Sequence, residues 1–343
     1  MVLETYRGYG REGAVFIMGR AFLQPVLGTE RKHGSVLRDL TDLLRRFLRW
    51  GLSRRRVRVE LGDAVAETHT DRRGWFSVRL EPKFPPEEDG HPLWRKAKVT
   101  LGTEGLTAEA TVLAPRAPSS FAVVSDLDDT VLFTGVANVL MMMRSLFFSD
   151  ADARTPFPGV SAFYRALFRG ASGQEANPML YVSRGPWGLL RVIERFFHAH
   201  DIPCGPVVFL RDWGFTLQHP LPRRLKTHKR ELIETMLQVY ADREFVLIGD
   251  SGQKDPEVYA NIVADHPGRV KVVYIRDVSR TDARSEAIEL LAERLRAVGS
   301  RLVLARDSLV MAKDAAEHGL IPAETLKEIE EAVADESKGS GLD

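Results

Sequence analysis

The sequence predicts an α/β fold: a parallel sheet covered on both faces by helices, preceded by a small all-β, sandwich-like domain. Three observations lead there. Beyond residue 120, apolar strand-like runs alternate with helical patterns, the signature of a parallel sheet. Before residue 115, short runs alternate apolar and polar at period two, the signature of half-buried strands. Between them lies Ala114-Pro115-Arg116-Ala117-Pro118-Ser119-Ser120, two prolines among small residues with no periodicity. The expected organisation is a β domain over 13–115 with one helical insertion, a linker over 116–120, an α/β domain over 121–310, and C-terminal helices and tail over 311–343.

Within the first domain, Ala14 to Met18, Val57 to Leu61, Phe76 to Leu80, Ala97 to Leu101 and Ala108 to Leu113 read as strands. Leu37, Leu40, Leu43, Leu44, Phe47 and Leu48 recur at helical spacing, so the insertion is a helix over 35–50. Pro82 to Pro92 reads as a long loop. The turn Thr70-Asp71-Arg72-Arg73-Gly74-Trp75-Phe76 resembles those of small transthyretin-like β-sandwich modules. In the second domain, strands are expected at 121–125, 179–183, 206–210, 245–249 and 270–275. Helices are expected near 135–148, 160–169, 186–200, 228–240, 255–264 and 284–298. A last strand, Arg301 to Leu304, precedes a helix from Asp307 to His318 with Gly319 as its C-cap, and 335–343 should fray.

At 343 residues, 44% apolar and 28% charged, the composition is that of an ordinary globular chain with room for two cores. A net charge of +1 argues against a dedicated nucleic-acid binder. Residues 1–60 are nevertheless basic, with 13 Arg/Lys against 6 Asp/Glu, including Arg45, Arg46, Arg49, Arg54, Arg55, Arg56 and Arg58. That cluster reads either as a patch for an anionic membrane or nucleic acid, or as a solvated helix face and turn, the commoner case. Cys204 is the sole cysteine, which excludes an internal disulfide and a cysteine-based zinc site. Met1 to Gly13 has no apolar signal core. Val131 to Phe148 is apolar but interrupted by Thr134, Gly135, Asn138 and Arg144, and falls short of the roughly 20 residues a membrane span needs. A cytoplasmic protein is expected, with peripheral membrane contact as the variant.

Four segments carry chemistry, each directly after an expected strand or opening a helix. Phe121-Ala122-Val123-Val124-Ser125 delivers Asp126-Leu127-Asp128-Asp129-Thr130. A carboxylate such as Asp126 can attack phosphorus and split a hard displacement into two easier ones. Asp128, two residues on, can protonate a leaving oxygen and later deprotonate water. Oxygen-only ligands at a strand end suit magnesium. Next, Ser183-Arg184-Gly185-Pro186 offers a hydroxyl and backbone amides near a helix start, a phosphate-binding arrangement. Lys226-Thr227-His228-Lys229 opens a helix with an ammonium suited to a transferring phosphoryl group, Lys229 being the better placed and Lys226 the reserve. Finally, Gly249-Asp250-Ser251-Gly252-Gln253-Lys254-Asp255 follows another apolar strand. There Asp250 can complete a metal shell, and Asp255 can bond Lys229 or a metal-bound water, cap the following helix, or do both.

The order D-x-D-x-T, Ser, Lys, G-D-x-x-x-x-D resembles the haloacid dehalogenase (HAD) superfamily over about 121–280. The resemblance implies a HAD-like Rossmannoid sheet with a helical cap inserted over 131–178. It implies Asp126 as nucleophile and metal ligand, and Asp128 as acid/base whose backbone carbonyl joins the Mg2+ shell. Asp250 would be the third metal site residue and Asp255 its support. Thr130 would hold the motif loop, with Ser183 and Lys229 on the phosphate. Arg184, which adds a cation near the phosphate site, Gly185 and Ser251 are this chain's own candidate substrate contacts. More narrowly, Tyr181-Val182-Ser183, Pro186-Trp187, Cys204-Gly205-Pro206, Leu210-Arg211-Asp212, Ile248 to Tyr259 and Tyr274-Ile275-Arg276 resemble the catalytic domain of the fungal actin-patch phosphatidate phosphatase family, of which this chain looks like a bacterial-type member. Fungal members commonly carry Ser-Asn-Ser where this chain has Ser183-Arg184-Gly185, and their long proline-rich tail has no counterpart, so no actin link is expected.

The resemblance implies a Mg2+-dependent phosphatase acting on phosphatidate or a related lipid phosphate. The apolar run around Met141-Met142-Met143 could receive an acyl chain or face a bilayer, or form the cap's own core. A second insertion, Trp213 to Arg224, could hold a headgroup or be only a loop. Two rivals stand beside the lipid reading: a phosphatase of a soluble phosphomonoester, and a catalytically inactive adaptor at anionic membranes. No nucleic-acid partner is expected.

Overall fold

A computed structural model of the chain describes residues 1–23, 50–84, 93–102, 105–115, 119–127, 158–183, 187, 190–209, 228–278 and 281–339. It divides into two compact units, Met1–Arg116 with Pro186–Gly188 and Arg211–Leu225, and Ala117–Gly185 with Leu189–Leu210 and Lys226–Asp343.

In the first unit the described elements are nine strands of one hydrogen-bonded sheet. They are β1 (Val2–Thr5), β2 (Gly8–Arg11), β3 (Ala14–Leu23), β4 (Trp50–Gly51), β5 (Arg56–Leu61), β6 (Ala64–His69), β7 (Trp75–Leu80), β8 (Trp94–Leu101) and β9 (Leu106–Leu113). The main path is β1-β3-β2-β9-β8-β5-β6, with β4 and β7 also pairing β3. Period-two alternation decides which side chains go inward. In β5, Val57, Val59 and Leu61 are buried while Arg56 and Arg58 face outward. Those outward cations meet carboxylates: Arg56 Nη2 lies 2.5 Å from Glu67 Oε2, and Arg58 Nη2 lies 3.0 Å from Glu60 Oε1. This part of the basic cluster is therefore an ion-paired sheet face; Arg45, Arg46 and Arg49 lie outside the described residues. So does 35–49 of the expected helix, while its last residue, Trp50, pairs with Leu23 as a strand. Strands β1 and β2 precede the stretch expected to be β-rich, and both pair with β3.

Among its described residues the second unit forms a six-stranded, all-parallel sheet, in a chain that is mixed α/β as expected. Its strands are β10 (Phe121–Asp126), β11 (Met179–Ser183), β12 (Val207–Phe209), β13 (Glu244–Asp250), β14 (Val270–Arg276) and β15 (Arg301–Ala305). Its described helices are α1 (Val160–Arg169), α2 (Leu190–Ala199), α3 (His228–Val239), α4 (Asp255–Asp265), α5 (Asp282–Ala297), α6 (Ser308–Glu317) and α7 (Thr325–Gly339). All six residues of β10 are buried, as in a strand covered on both faces. Each fully buried Val, Leu, Ile or Phe in such a core is worth about 1.5–3 kcal/mol.

Local chemistry fixes the helix ends. Asp307 caps α6 by accepting from the Val310 amide at 2.9 Å. Gly319, at φ 68°, closes it in a Schellman arrangement: its amide reaches the Ala316 carbonyl, and the Leu320 amide that of Ala315. Helix α7 continues through 335–339, where fraying was expected. Helix α1 lies in the stretch expected as a cap, 131–178, and packs on the sheet itself: Phe163 meets Tyr274 edge-on at 5.8 Å, and Tyr164 stacks near Tyr181 at 6.4 Å. Residues 131–157 and 213–224 lie outside the described residues.

The strand order β12-β11-β10-β13-β14-β15 reverses between β10 and β13. In open parallel sheets ligands gather beyond the carboxyl ends of the strands at such a switch point. Asp126 ends one of these two strands and Asp250 ends the other.

Candidate active site

The β10–β13 pairing runs from Phe121↔Glu244 to Ser125↔Ile248, so the two apolar strands finish side by side. Asp126 and Asp250 are both fully buried, and Asp255 is 2% exposed. Carboxylate oxygens from all three lie within 4.8 Å of one another. Repulsion among carboxylates this close is relieved by a cation.

Lys229 supplies one. It is the second residue of α3, and its Nζ lies 3.0 Å from Asp126 Oδ1 and 2.5 Å from Asp255 Oδ1. Burial works against its charge, but the carboxylates of Asp126 and Asp255 prevail and hold the ammonium well above the ordinary lysine range. The ring of Tyr259 lies 5.5 Å from the same Nζ and adds a cation–π contact. One ammonium against three carboxylates leaves negative charge over, and the donors are oxygens only. That is the donor set of a hard divalent cation, and Asp126, Asp250 and Asp255 fit one.

Backbone geometry makes the close approach of Asp255 available. A Cβ on Gly249 would stand 2.5 Å from Asp255 Oδ2 and 2.9 Å from the Tyr259 ring, so only glycine fits there. Asp255 is not the cap of α4. Lys254 holds that position without a side-chain cap, and Asp255 begins the helix with Pro256 behind it. Its second oxygen accepts from the Asp250 amide at 3.4 Å. Ser251 donates to Asp277 Oδ1 at 3.3 Å and accepts from the Val278 amide at 2.9 Å, so its hydroxyl braces the loop. Ser183, 2% exposed, ends β11 one residue beyond the partner of Asp126, which is Val182. Asp128, Thr130, Arg184 and Gly185 lie outside the described residues.

A second buried group lies behind the cluster, and the sequence reading gave it no role. The Ser125 hydroxyl donates to the Asp126 carbonyl at 2.9 Å, so Tyr164, 2.7 Å away, donates to Ser125. Burial foremost raises the Tyr164 phenol to about 12. Arg276 stands beside Asp250 across the β13–β14 pairing, 2% exposed, and donates to Ser308 Oγ at 3.2 Å. Burial lowers it to about 10, opposed by Tyr164, Asp307 and Asp250. A sequence signal for it existed: like Asp126 and Asp250, Arg276 ends an apolar strand.

Residues 121–277 match the family model described as the catalytic domain of phosphatidate phosphatase APP1. The chain is 27% identical over 232 residues to phosphatidate phosphatase APP1 of Saccharomyces cerevisiae, covering 65% of this chain and 37% of the yeast protein. It is 29% identical over 162 residues to an uncharacterised protein of Schizosaccharomyces pombe, covering 47% of this chain and 26% of that one. The chain thus spans well under half the length of either relative. Among solved structures, that of DsGPDH from Dunaliella salina aligns at 17% identity with a TM-score of 0.33, over 57% of this chain and 36% of that one. No helix among the described residues is long and apolar enough to cross a membrane.

Proposed function

We propose that the chain, whose residues 121–277 match the catalytic domain of phosphatidate phosphatase APP1 and which is 27% identical to the yeast protein of that name, hydrolyses phosphatidate, or a related lipid phosphate, to diacylglycerol and phosphate. The observation that carries this reading is the Lys229 ammonium held between Asp126 and Asp255 at the switch point of the sheet. Such an arrangement suits an anionic nucleophile that must meet an anionic phosphate.

In this reading Asp126 attacks phosphorus, and the bond from phosphorus to the lipid oxygen breaks as the aspartyl-phosphate forms. Asp128 gives its proton to the departing oxygen. It then takes a proton from water as that water attacks phosphorus, freeing phosphate and restoring Asp126. Lys229 and Ser183 hold the phosphoryl oxygens, and Asp255 fixes the direction of the Lys229 ammonium. Asp126, Asp250 and the Asp128 carbonyl would hold Mg2+, with Asp255 in support; bound there, it offsets charge between carboxylate and phosphate. Thr130 steadies the nucleophile loop. Arg184 and Gly185 would act as substrate contacts, and Ser251 supports the site through the loop it braces.

Initial rates on phosphatidate in mixed micelles and on a soluble aryl phosphate test the substrate. Selective turnover of the lipid is expected. Turnover of the soluble ester alone would keep the chemistry and discard the lipid.

A further inference from the structure

Arg284 belongs to α5, beyond the residues that match the family, yet its guanidinium turns back to the loop joining β13 to α4. Its Nε donates to the Ser251 carbonyl at 2.9 Å. Its Nη2 donates to the Gln253 carbonyl at 2.6 Å and to Glu257 Oε2 at 3.1 Å, while Nη1 pairs with Glu257 Oε1. One planar fork thus holds two loop carbonyls and a carboxylate in the first turn of α4. The loop carries Asp250 at one end and Asp255 at the other. Its opposite side is tied to the end of β14, through the Ser251 amide to the Arg276 carbonyl at 2.9 Å and the Ser251 hydroxyl to Asp277.

We propose that Arg284 is a positioning residue for the acid cluster, setting the separation of Asp250 and Asp255 and thereby the affinity of the cluster for a divalent cation. The proposal rests on the metal-dependent reading above. A five-residue step between two carboxylates leaves the intervening carbonyls free to turn outward. The guanidinium holds two of them inward, and lysine would replace it only in part because a single ammonium lacks the fork. Partners that orient metal ligands in this way change affinity or activity by about 10–100-fold when removed.

The test uses the full chain with Arg284→Gln and Arg284→Lys, titrated with Mn2+ by calorimetry without substrate, alongside hydrogen exchange of the 251–255 amides. Arg284→Gln should weaken Mn2+ binding by about 10–100-fold and speed exchange in that loop, and Arg284→Lys should recover part of both. Should the glutamine variant fail to fold, the lysine variant carries the comparison. Unchanged Mn2+ affinity in a folded variant would overturn the proposal, whether or not exchange rises. A wild type that binds no Mn2+ would instead sink the metal reading; the exchange then decides the clamp, with unchanged exchange overturning it.

Discussion

Lys229 Nζ lies 3.0 Å from Asp126 Oδ1, which ties the first turn of α3 to the end of β10. The contact is buried at both ends, so each partner depends on the other for its charge. Replacing Lys229 by Ala should lower kcat by about 10²–10³-fold, the scale for removing one preorganised donor at a transferring group. It should also destabilise the unit by about 3–5 kcal/mol, since Asp126 and Asp255 stay buried with less compensation. Steady-state kinetics and urea unfolding measure the two effects separately.

The raised pKa of Lys229 makes an alkaline prediction. Its folded value stands above its unfolded one, so its stabilisation is complete below the unfolded lysine value of about 10.4. It declines as pH rises beyond that toward the folded value. The neutral range should therefore show no Lys229-dependent change, and Lys229→Met should remove part of the stability loss above about pH 10.4. Urea midpoints of wild type and variant across that range give the comparison.

Gly249→Ala should act through Asp255, whose oxygen stands 2.5 Å from where the new methyl would sit. The new methyl would also stand 2.8 Å from the Asp255 Cβ and 2.9 Å from the Tyr259 ring, so the Asp255 side chain must shift. Overpacking of this kind costs about 1–3 kcal/mol, and the displaced Asp255 would release Lys229. Activity should fall more than stability, and a variant with wild-type kcat would refute the close-packing account.

Tyr164→Phe removes the donor to Ser125, whose hydroxyl in turn donates to the carbonyl of Asp126. A loss of about 1 kcal/mol is expected. A double-mutant cycle with Ser125→Ala should show that the two changes are not additive.

Divalent cation should stabilise the folded chain. Excess Mg2+ at 100 times its Kd would add about 2.7 kcal/mol, read as a rise in Tm, and Asp250→Asn should abolish most of that rise. An equal Tm shift in the variant would remove Asp250 from the metal shell.

Much of the second unit was legible because buried parallel strands write themselves as apolar runs. Val246-Leu247-Ile248 and Val270 to Ile275 could hardly be anything else, and the helix over 160–169 matches residue for residue. The acid cluster was legible for the same reason: Asp126 and Asp250 interrupt such runs at their ends. Strand β4 was not, because a two-residue strand has no period to detect. The cap reading of Asp255 failed because Asp-Pro at a helix start is a strong local signal, and Lys229 outweighs it in the fold. Arg284 was invisible because its partners stand 27 or more residues away, and nothing local marks an arginine on an amphipathic helix as a clamp.

The most direct test of the account is phosphate release from phosphatidate in mixed micelles, with and without Mg2+, by the wild type and by Asp126→Asn. Release that requires Mg2+ and vanishes in the variant is the predicted result. Turnover retained by Asp126→Asn would contradict the covalent role of Asp126 on which the account turns.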